Sequence, residues 1–264
     1  MKYLALGPAG MGIFSLIGYL YKIRDKLDDV EEISGASAGA MIGFLMALGK
    51  DIDFIVKFIH EFDTQKYYKF SLKNFINDFG FINIHECKKD IIDLIGFNPK
   101  FKDLDKKLII SVINVNYQQT EYFSIDNYPD MYALDAVCIS MSIPFIFTSK
   151  NIKGNYYADG GVFEQVPLTP FLSKRKEDVL AVQVNYKNFT DKKISNVKDY
   201  MFFIYDNFMR RGSFNHDKKL FNVIQIEQEE GVSLLNFKMN EEDKMKLFFN
   251  GYNAKGLVHS GFTM

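Results

Sequence analysis

A serine at position 37 lies among small residues in the pattern Gly-x-Ser-x-Gly, where its hydroxyl could act as a nucleophile. Residues 30–33, which precede it, favour a β-strand, and residues 40–48, which follow, are apolar and compatible with a helix. Such a strand, tight turn and helix are typical of a nucleophile elbow, in which the start of the helix stabilises an oxyanion. Small residues also cluster in ordinary turns, so the pentapeptide from Gly35 to Gly39 needs support from the rest of the chain.

A serine nucleophile needs a base, and four histidines could supply one. His60, His85 and His216 fall in helical, charged or polar stretches and are predicted to be surface residues. His259 stays an alternative, because the order Ser37, Asp159, His259 matches the order of serine, acid and histidine in α/β-hydrolases. Against this triad, only 36 residues precede Ser37, whereas those enzymes place several strands before the elbow.

Asp159 is the stronger candidate for the base. It ends an apolar strand and is followed by Gly160 and Gly161, so a rigid turn would hold its carboxylate beside a cavity. Asp-Gly-Gly is also a common turn sequence with no chemical role. An aspartate has an ordinary pKa of about 3.9 and is a weak base. It could accept the serine proton if burial raised the pKa and if the two oxygens lay about 2.6–3.2 Å apart.

Residues 7–12, with the sequence GPAGMG, form a glycine-rich loop directly after the predicted first strand. The glycines Gly7, Gly10 and Gly12 allow backbone N–H groups to converge on one anionic atom. A phosphate-binding loop is the weaker interpretation, because the lysine of a P-loop is absent and the spacing departs from the dinucleotide fingerprint.

Strands and helices alternate along the chain. Strands are predicted over 3–6, 30–33, 108–115, 120–124, 156–158 and 179–184, and helices over 13–26, 38–48, 52–62, 133–141 and 241–258. Asp51 is a plausible cap for the third helix, and short helices are expected between 65 and 101. This alternation predicts an α/β fold with a mostly parallel sheet and helices on both faces. No linker or repeat divides the chain, so residues 1–264 are expected to form a single domain.

Composition narrows the function classes. Of 264 residues 47% are hydrophobic, which is ample for a core, and the net charge of −1 argues against a nucleic-acid partner. Cys87 and Cys138 lack metal-ligand spacing and are predicted to be buried free thiols of a cytoplasmic protein. No signal peptide and no apolar run of about 20 residues is evident, so the protein is expected to be soluble or to lie on a membrane surface. The sequence does not indicate an oligomeric state.

Three motifs in this order resemble those of the patatin-like phospholipases and lipid acyl hydrolases: GPAGMG from position 7, GASAG from position 35 and DGG from position 159. The stretch of small residues that ends at Ile143 and Pro144 is also similar. The resemblance covers about residues 1–185. It implies a three-layer α/β/α sandwich with a central, mostly parallel sheet.

The resemblance also implies roles for the motif residues. Ser37 would be the nucleophile and Asp159 its base, in a dyad without histidine. The backbone N–H groups of Ala9, Gly10 and Met11, with that of Ala38, would form the oxyanion hole. The substrate would be a lipid ester reached by transient contact with a membrane surface, and the reaction would need no metal or cofactor.

The sequence departs from the family pattern at two places. Pro8 and Ala9 replace glycines of the oxyanion loop, and Met11 replaces its basic residue. Proline has no N–H and cannot donate to an oxyanion. After the DGG motif, Gln165 replaces the usual asparagine. These changes leave open a lipid-binding or regulatory protein that has lost turnover.

Two features of the C-terminal part can be interpreted either as functional sites or as parts of the core and the solvent-exposed surface. The apolar residues 201–205 could line an acyl channel or touch a bilayer, although core packing is favoured. The basic pairs at 192–193 and 210–211 could contact anionic headgroups, although surface charge pairs usually serve solubility.

Overall fold

The computed structural model describes residues 1–186, 194–195, 200, 221–229 and 236–255. In these residues the strands are β1 (Tyr3–Leu6), β2 (Glu32–Gly35), β3 (Gly80–Ile82), β4 (Lys107–Asn114), β5 (Gln119–Ser124), β6 (Phe145–Phe147), β7 (Lys150–Ile152), β8 (Asn155–Asp159), β9 (Val179–Tyr186) and β10 (Asn222–Gln228). The α-helices are α1 (Ile13–Lys22), α2 (Ala38–Ala47), α3 (Ile52–Glu61), α4 (Leu72–Asp78), α5 (Lys88–Ile95), α6 (Ala133–Ser140) and α7 (Glu241–Asn253).

The main sheet is mixed, with a parallel centre and antiparallel strands at one side. Its order is β10-β9-β1-β2-β4-β8-β7, and β5 also pairs with β4. The neighbours from β10 to β4 are parallel, whereas β8 and β5 run antiparallel to β4. The predicted α/β architecture with a mostly parallel sheet is therefore confirmed. A separate two-stranded sheet pairs β3 with β6.

Alternating side chains divide the core between the two faces of the sheet. Leu4, Leu6 and Val182 point into a large cluster that α1, α2, α3, α5 and α6 cover. Ala5 and Ala181 point to the other face, where the described cover includes the 3-10 helix Thr169–Phe171. Helices flank the sheet, as predicted. Of the cover on this second face, the described residues supply the segment with Val166, Leu168 and Phe171.

Several predicted boundaries shift in the structure. The first helix ends at Lys22 and gives way to a 3-10 turn at Arg24–Lys26, and the second strand lies at Glu32–Gly35. Asp51 caps α3 as predicted, accepting a hydrogen bond of 2.7 Å from the Phe54 N–H. β10 was not predicted from the sequence. Four of its seven residues are polar, so no apolar pattern indicates the strand, although four of the seven are buried.

The two cysteines are free and buried, as predicted. They are far apart in sequence, yet the fold brings them close enough that Cys138 lowers the pKa of the Cys87 thiol and Cys87 raises that of the Cys138 thiol. The Cys87 thiol also donates to the Ile84 carbonyl at 2.9 Å.

Candidate active site

Ser37 occupies the turn between β2 and α2 and has a backbone conformation that side chains rarely adopt. Its φ is 54° and its ψ is −121°, and it is the N-terminal cap residue of α2. Such strain persists only where the surroundings fix it. Here the Ser37 N–H donates to Ser140 Oγ at 2.9 Å, and the Ala36 N–H donates to the Leu6 carbonyl at 3.1 Å. The turn is thus fastened on both sides, as a nucleophile elbow requires.

Gly39 allows the helix after the elbow to lie against the end of β1. A Cβ atom at position 39 would lie 2.3 Å from the Leu6 carbonyl oxygen and 2.7 Å from that of Gly7. Backbone atoms cannot move aside as a flexible side chain could. The close approach brings the elbow and the loop at residues 7–12 to the same edge of the sheet.

Pairing with β4 fixes the position of Asp159 along the strand direction relative to Ser37. In the parallel pair β2 and β4, Gly35 lies opposite Ile110, and in the antiparallel pair β4 and β8, Val112 lies opposite Asp159. Ser37 follows Gly35 by two residues, and Val112 follows Ile110 by two. The register therefore delivers the end of β8 to the height of the elbow, although the two strands run in opposite directions.

The Asp159 carboxyl is buried, and the Ser37 side chain is one of the two groups that lower its pKa. One of the carboxyl oxygens accepts from the Gly161 N–H at 2.8 Å. Burial raises the pKa of Asp159 to about 7, and Ser37 and the Gly161 N–H oppose that rise. A carboxylate with a pKa near neutrality is a much better proton acceptor than an exposed one.

Residues 7–12 fold over the elbow, and the side chain of Tyr186 fastens them. The Tyr186 hydroxyl donates to the Ala9 carbonyl at 2.6 Å and accepts from the Gly12 N–H at 2.8 Å. Gly10 has a φ of 49°, in the left-handed region that glycine tolerates. Within the described part of the chain, no acceptor is found for the N–H groups of Ala9, Gly10, Met11 and Ala38. These four donors are free to bind an anionic oxygen.

The loop and the DGG motif meet at Pro8. A Cβ atom at Gly161 would lie 2.6 Å from two carbons of the Pro8 ring, so only glycine fits there. A Cβ at Gly160 would lie 2.2 Å from the Ser111 carbonyl oxygen of β4. The three sequence motifs therefore converge on one place.

The family model for Patatin-like phospholipase matches residues 4–172, which include all three motifs. The chain belongs to the patatin-like phospholipase family. A protein of Acanthamoeba polyphaga mimivirus, R571, is 31% identical over 274 residues, covering 96% of this chain and 92% of the relative. A probable lipid hydrolase of Invertebrate iridescent virus 6, 463L, is 26% identical over 224 residues, covering 76% of this chain and 77% of the relative.

Solved structures show the same fold. VipD from Legionella pneumophila superposes with a TM-score of 0.67 at 19% identity, over 96% of this patatin-like chain. The type III effector protein ExoU superposes with a TM-score of 0.53 at 16% identity. The chain spans 65% of the VipD chain and 51% of the ExoU chain, so both neighbours contain further structure.

Of the four histidines, two lie in the described residues of this patatin-like chain, and neither contacts Asp159. His60 packs against the Phe14 ring and lies 3.6 Å from a Glu241 oxygen. The prediction of a surface position is wrong for His85: both its ring nitrogens are buried without a hydrogen-bond partner, and burial lowers its pKa to about 4. His216 and His259 lie outside the described residues, so the triad alternative stays a hypothesis.

Some residues that shape the patatin-like site were missed by the sequence analysis. Ser140, at the end of α6, binds the elbow and also donates to the Ser111 carbonyl at 2.7 Å. Glu164 is buried and accepts hydrogen bonds from Tyr122, at 2.6 Å, and from the Leu168 and Thr169 N–H groups. It thereby orders the segment that follows the DGG motif. Ser140 and Tyr122 lie far from the motifs, and Glu164, although it follows the DGG motif closely, belongs to no recognised pattern, so no signal in the sequence indicated these roles.

An apolar cavity of about 140 Å³ lies beside the site. Met11 of the oxyanion loop, Met41 one turn after Ser37 and Met141 line it, together with aromatic side chains of α3 and the segment that follows. Neither Ser37 nor Asp159 is among its lining residues. Residues 201–205, for which core packing is predicted in preference to an acyl channel, and the basic pairs at 192–193 and 210–211 lie outside the described residues.

Proposed function

We propose that the protein is a serine acyl hydrolase that cleaves fatty-acyl esters of phospholipids, lysophospholipids or related lipids. Family membership supports lipid hydrolysis in general. The single observation that carries the finer proposal is that strand register brings a buried Asp159, with a pKa of about 7, to the level of Ser37 on its strained elbow. A nucleophile beside a base of matched pKa is the arrangement that acyl transfer needs.

In the proposed reaction, Ser37 Oγ attacks the ester carbonyl carbon while its proton moves to Asp159. The tetrahedral intermediate collapses, the acyl–oxygen bond breaks, and the leaving alcohol takes the proton from Asp159. A water molecule then attacks the acyl-enzyme, again losing a proton to Asp159, and the fatty acid leaves as Ser37 is reprotonated. The cycle balances without metal or cofactor.

We assign the oxyanion hole to the free N–H groups of Ala9, Gly10, Met11 and Ala38. Oriented amides at the start of a helix stabilise the developing negative charge without reorganisation. Pro8 contributes no N–H, but its ring fixes the loop against Gly161.

We assign the apolar cavity to the acyl chain of the substrate. Its methionines lie next to the loop and the elbow, and thioether side chains adapt to chains of different shape. The carbonyl carbon would then lie at the site while the hydrocarbon extends away from it.

A fluorophosphonate probe and a fluorogenic fatty-acyl ester test this function directly. We expect wild-type protein to be labelled and to hydrolyse the ester, and the Ser37→Ala variant to do neither. Equal hydrolysis by the two proteins would contradict the proposal and favour the lipid-binding alternative, for which the loss of the basic residue at Met11 is the motivating observation.

One further variant distinguishes the histidine-triad mechanism from the Ser–Asp dyad mechanism. The His259→Ala variant is expected to keep its activity, because in the proposed dyad Asp159 takes the Ser37 proton without an intervening imidazole. Loss of activity on that substitution would favour the triad.

We further propose that residues 1–264 form a single catalytic domain that works in the cytoplasm and makes transient contact with membranes. β9, next to β1 in the sheet, and α7, which packs on α1 through its rings at Phe248 and Tyr252, lie beyond the family match. They complete the same core. Among the described residues, none of the helices is long and apolar enough to cross a bilayer.

A further inference from the structure

We propose that α4 and the adjoining sheet of β3 and β6 form the surface through which this protein docks on an anionic lipid bilayer. This inference rests on the proposed function and says how the site reaches its substrate. Five large apolar side chains form what we name the α4 surface, each between 48% and 73% exposed: Phe70, Leu72, Ile76, Phe79 and Phe145. Contiguous apolar side chains in solvent mark an interaction site more often than a solitary one does.

α4 exposes apolar residues to solvent as well as polar ones. None of its residues is buried, and Leu72 and Ile76, four residues apart on one side of the helix, are each 73% exposed. The helix is nevertheless well anchored: Ser71 caps it by accepting from the Asn74 N–H at 3.2 Å, and the Phe75 ring stacks on Phe81 at 4.3 Å. The exposure is therefore a feature of an ordered helix.

Two phenylalanines of this surface adopt an unfavourable backbone conformation. Phe79 has a φ of 60° and Phe145 a φ of 66°, in the left-handed region that bulky residues rarely enter. Phe79 takes this conformation where α4 ends, and its ring is 48% exposed while it contacts Tyr156. The Phe145 ring is 58% exposed. Both rings therefore present apolar surface to a partner outside the chain.

The same strands connect the α4 surface to the apolar cavity. Gly80 pairs with Phe145 at the exposed end of the small sheet, and Ile82 pairs with Phe147 two residues further along. Ile82 and Phe147 both line the cavity. A lipid chain leaving a bilayer at the α4 surface would therefore remain in contact with apolar side chains on its way to the site. This continuity favours a lipid surface over a second protein as the partner.

The charges around the surface are mostly positive. Lys69, Lys73, Lys150 and Lys153 are exposed and belong to α4, its approach and the hairpin beside Phe79, whose ring contacts Tyr156. Ion pairs recorded in the described residues include none of these four lysines. Unpaired lysines around an apolar patch suit a bilayer that contains anionic headgroups.

Vesicle flotation tests this inference in the Ser37→Ala protein, which leaves the lipids intact. We expect binding to phosphatidylcholine vesicles that contain phosphatidylserine, weaker binding to pure phosphatidylcholine, and weakening by added salt. The double variant Leu72→Ser/Ile76→Ser should lower the bound fraction about five-fold or more. The control Met245→Ser/Phe249→Ser changes an equally spaced pair on α7, 41% and 51% exposed, and should bind as its parent does.

Three results would overturn the inference: no binding to either vesicle, equal binding by the α4 variant and its parent, or equal loss in the α7 control. A dimer in sedimentation velocity that the α4 substitutions dissociate, without vesicle binding, would instead assign this surface to a second copy of the chain. Because flotation measures binding and not turnover, the docking inference stands or falls separately from the ester assay.

Discussion

The backbone N–H of Ser37 donates to the side-chain oxygen of Ser140 at 2.9 Å, and the Ser140 hydroxyl donates onward to the Ser111 carbonyl at 2.7 Å. The first bond holds the strained elbow, and the second ties it to β4, the strand that pairs with Asp159. Ser140 is therefore a positioning residue that links the proposed nucleophile to β4, the strand that pairs with β8 and its proposed base. It is fully buried, so water cannot replace it.

Replacing Ser140 with alanine should lower kcat about ten-fold or more and leave KM nearly unchanged, because it leaves a buried N–H unpaired at the elbow. Steady-state kinetics on a soluble fatty-acyl ester measure this split. The matched control is Ser15→Ala, since Ser15 is equally buried, accepts from Gln228 at 3.0 Å and donates to the Leu247 carbonyl at 2.8 Å. An equal kcat loss in the control would mean that Ser140 acts only through stability.

The pH dependence of hydrolysis should report Asp159. Its pKa is raised to about 7, so the carboxylate is mostly protonated below that pH and cannot accept a proton. We expect kcat/KM to rise about ten-fold per pH unit below pH 7 and to level above it. A profile that is flat from pH 5 to 8 would contradict the assignment of Asp159 as the base.

The Asp159→Asn variant should lose activity by about a thousand-fold or more while gaining stability at alkaline pH. In wild type the raised pKa means that the folded state binds a proton that the unfolded state releases, so stability falls as the pH rises towards 7. The variant lacks that charge, and its stability gain should be larger at pH 8.5 than at pH 5 by about 2–3 kcal/mol. Urea unfolding at the two pH values measures the difference, and an equal effect at both would refute the shift.

The Tyr186→Phe variant should slow both ester hydrolysis and fluorophosphonate labelling about three- to ten-fold, because it removes the hydroxyl that joins Ala9 to Gly12. Tyr157→Phe is a suitable comparison, since its hydroxyl bonds the Glu121 side chain at 3.1 Å and does not touch the loop. Similar losses in the two variants would remove the special role of Tyr186.

The contact between Pro8 and Gly161 can be tested with a double-mutant cycle. Gly161→Ala places a Cβ 2.6 Å from the Pro8 ring and should lower the free energy of unfolding by about 1–3 kcal/mol, with slower labelling of Ser37. In the double variant, Pro8→Gly should restore part of the lost free energy of unfolding and part of the labelling rate, because it removes the atoms that clash. Strictly additive effects would show that the two positions do not interact.

The sequence was informative where function depends on local geometry. The glycines around Ser37 and after Asp159 identified two tight turns, and the apolar runs of α2 and β4 located two of the elements that surround them. Three motifs in a fixed order were enough to indicate the family. The boundaries of α1 and β2 shifted by a few residues, since neither end carries a strong capping signal.

The sequence by itself determined the candidate nucleophile, the candidate base Asp159 and the fold class, because each of these predictions depends on patterns of neighbouring residues. Only the tertiary structure decided that Asp159 is buried beside Ser37 with a raised pKa. It also decided that Ser140 holds the elbow and that Tyr186 holds the loop at residues 7–12. The exposure of Leu72 and Ile76 on α4 was likewise decided by the tertiary structure. Burial and hydrogen bonding between residues a hundred or more positions apart depend on strand register and packing, which no local pattern encodes.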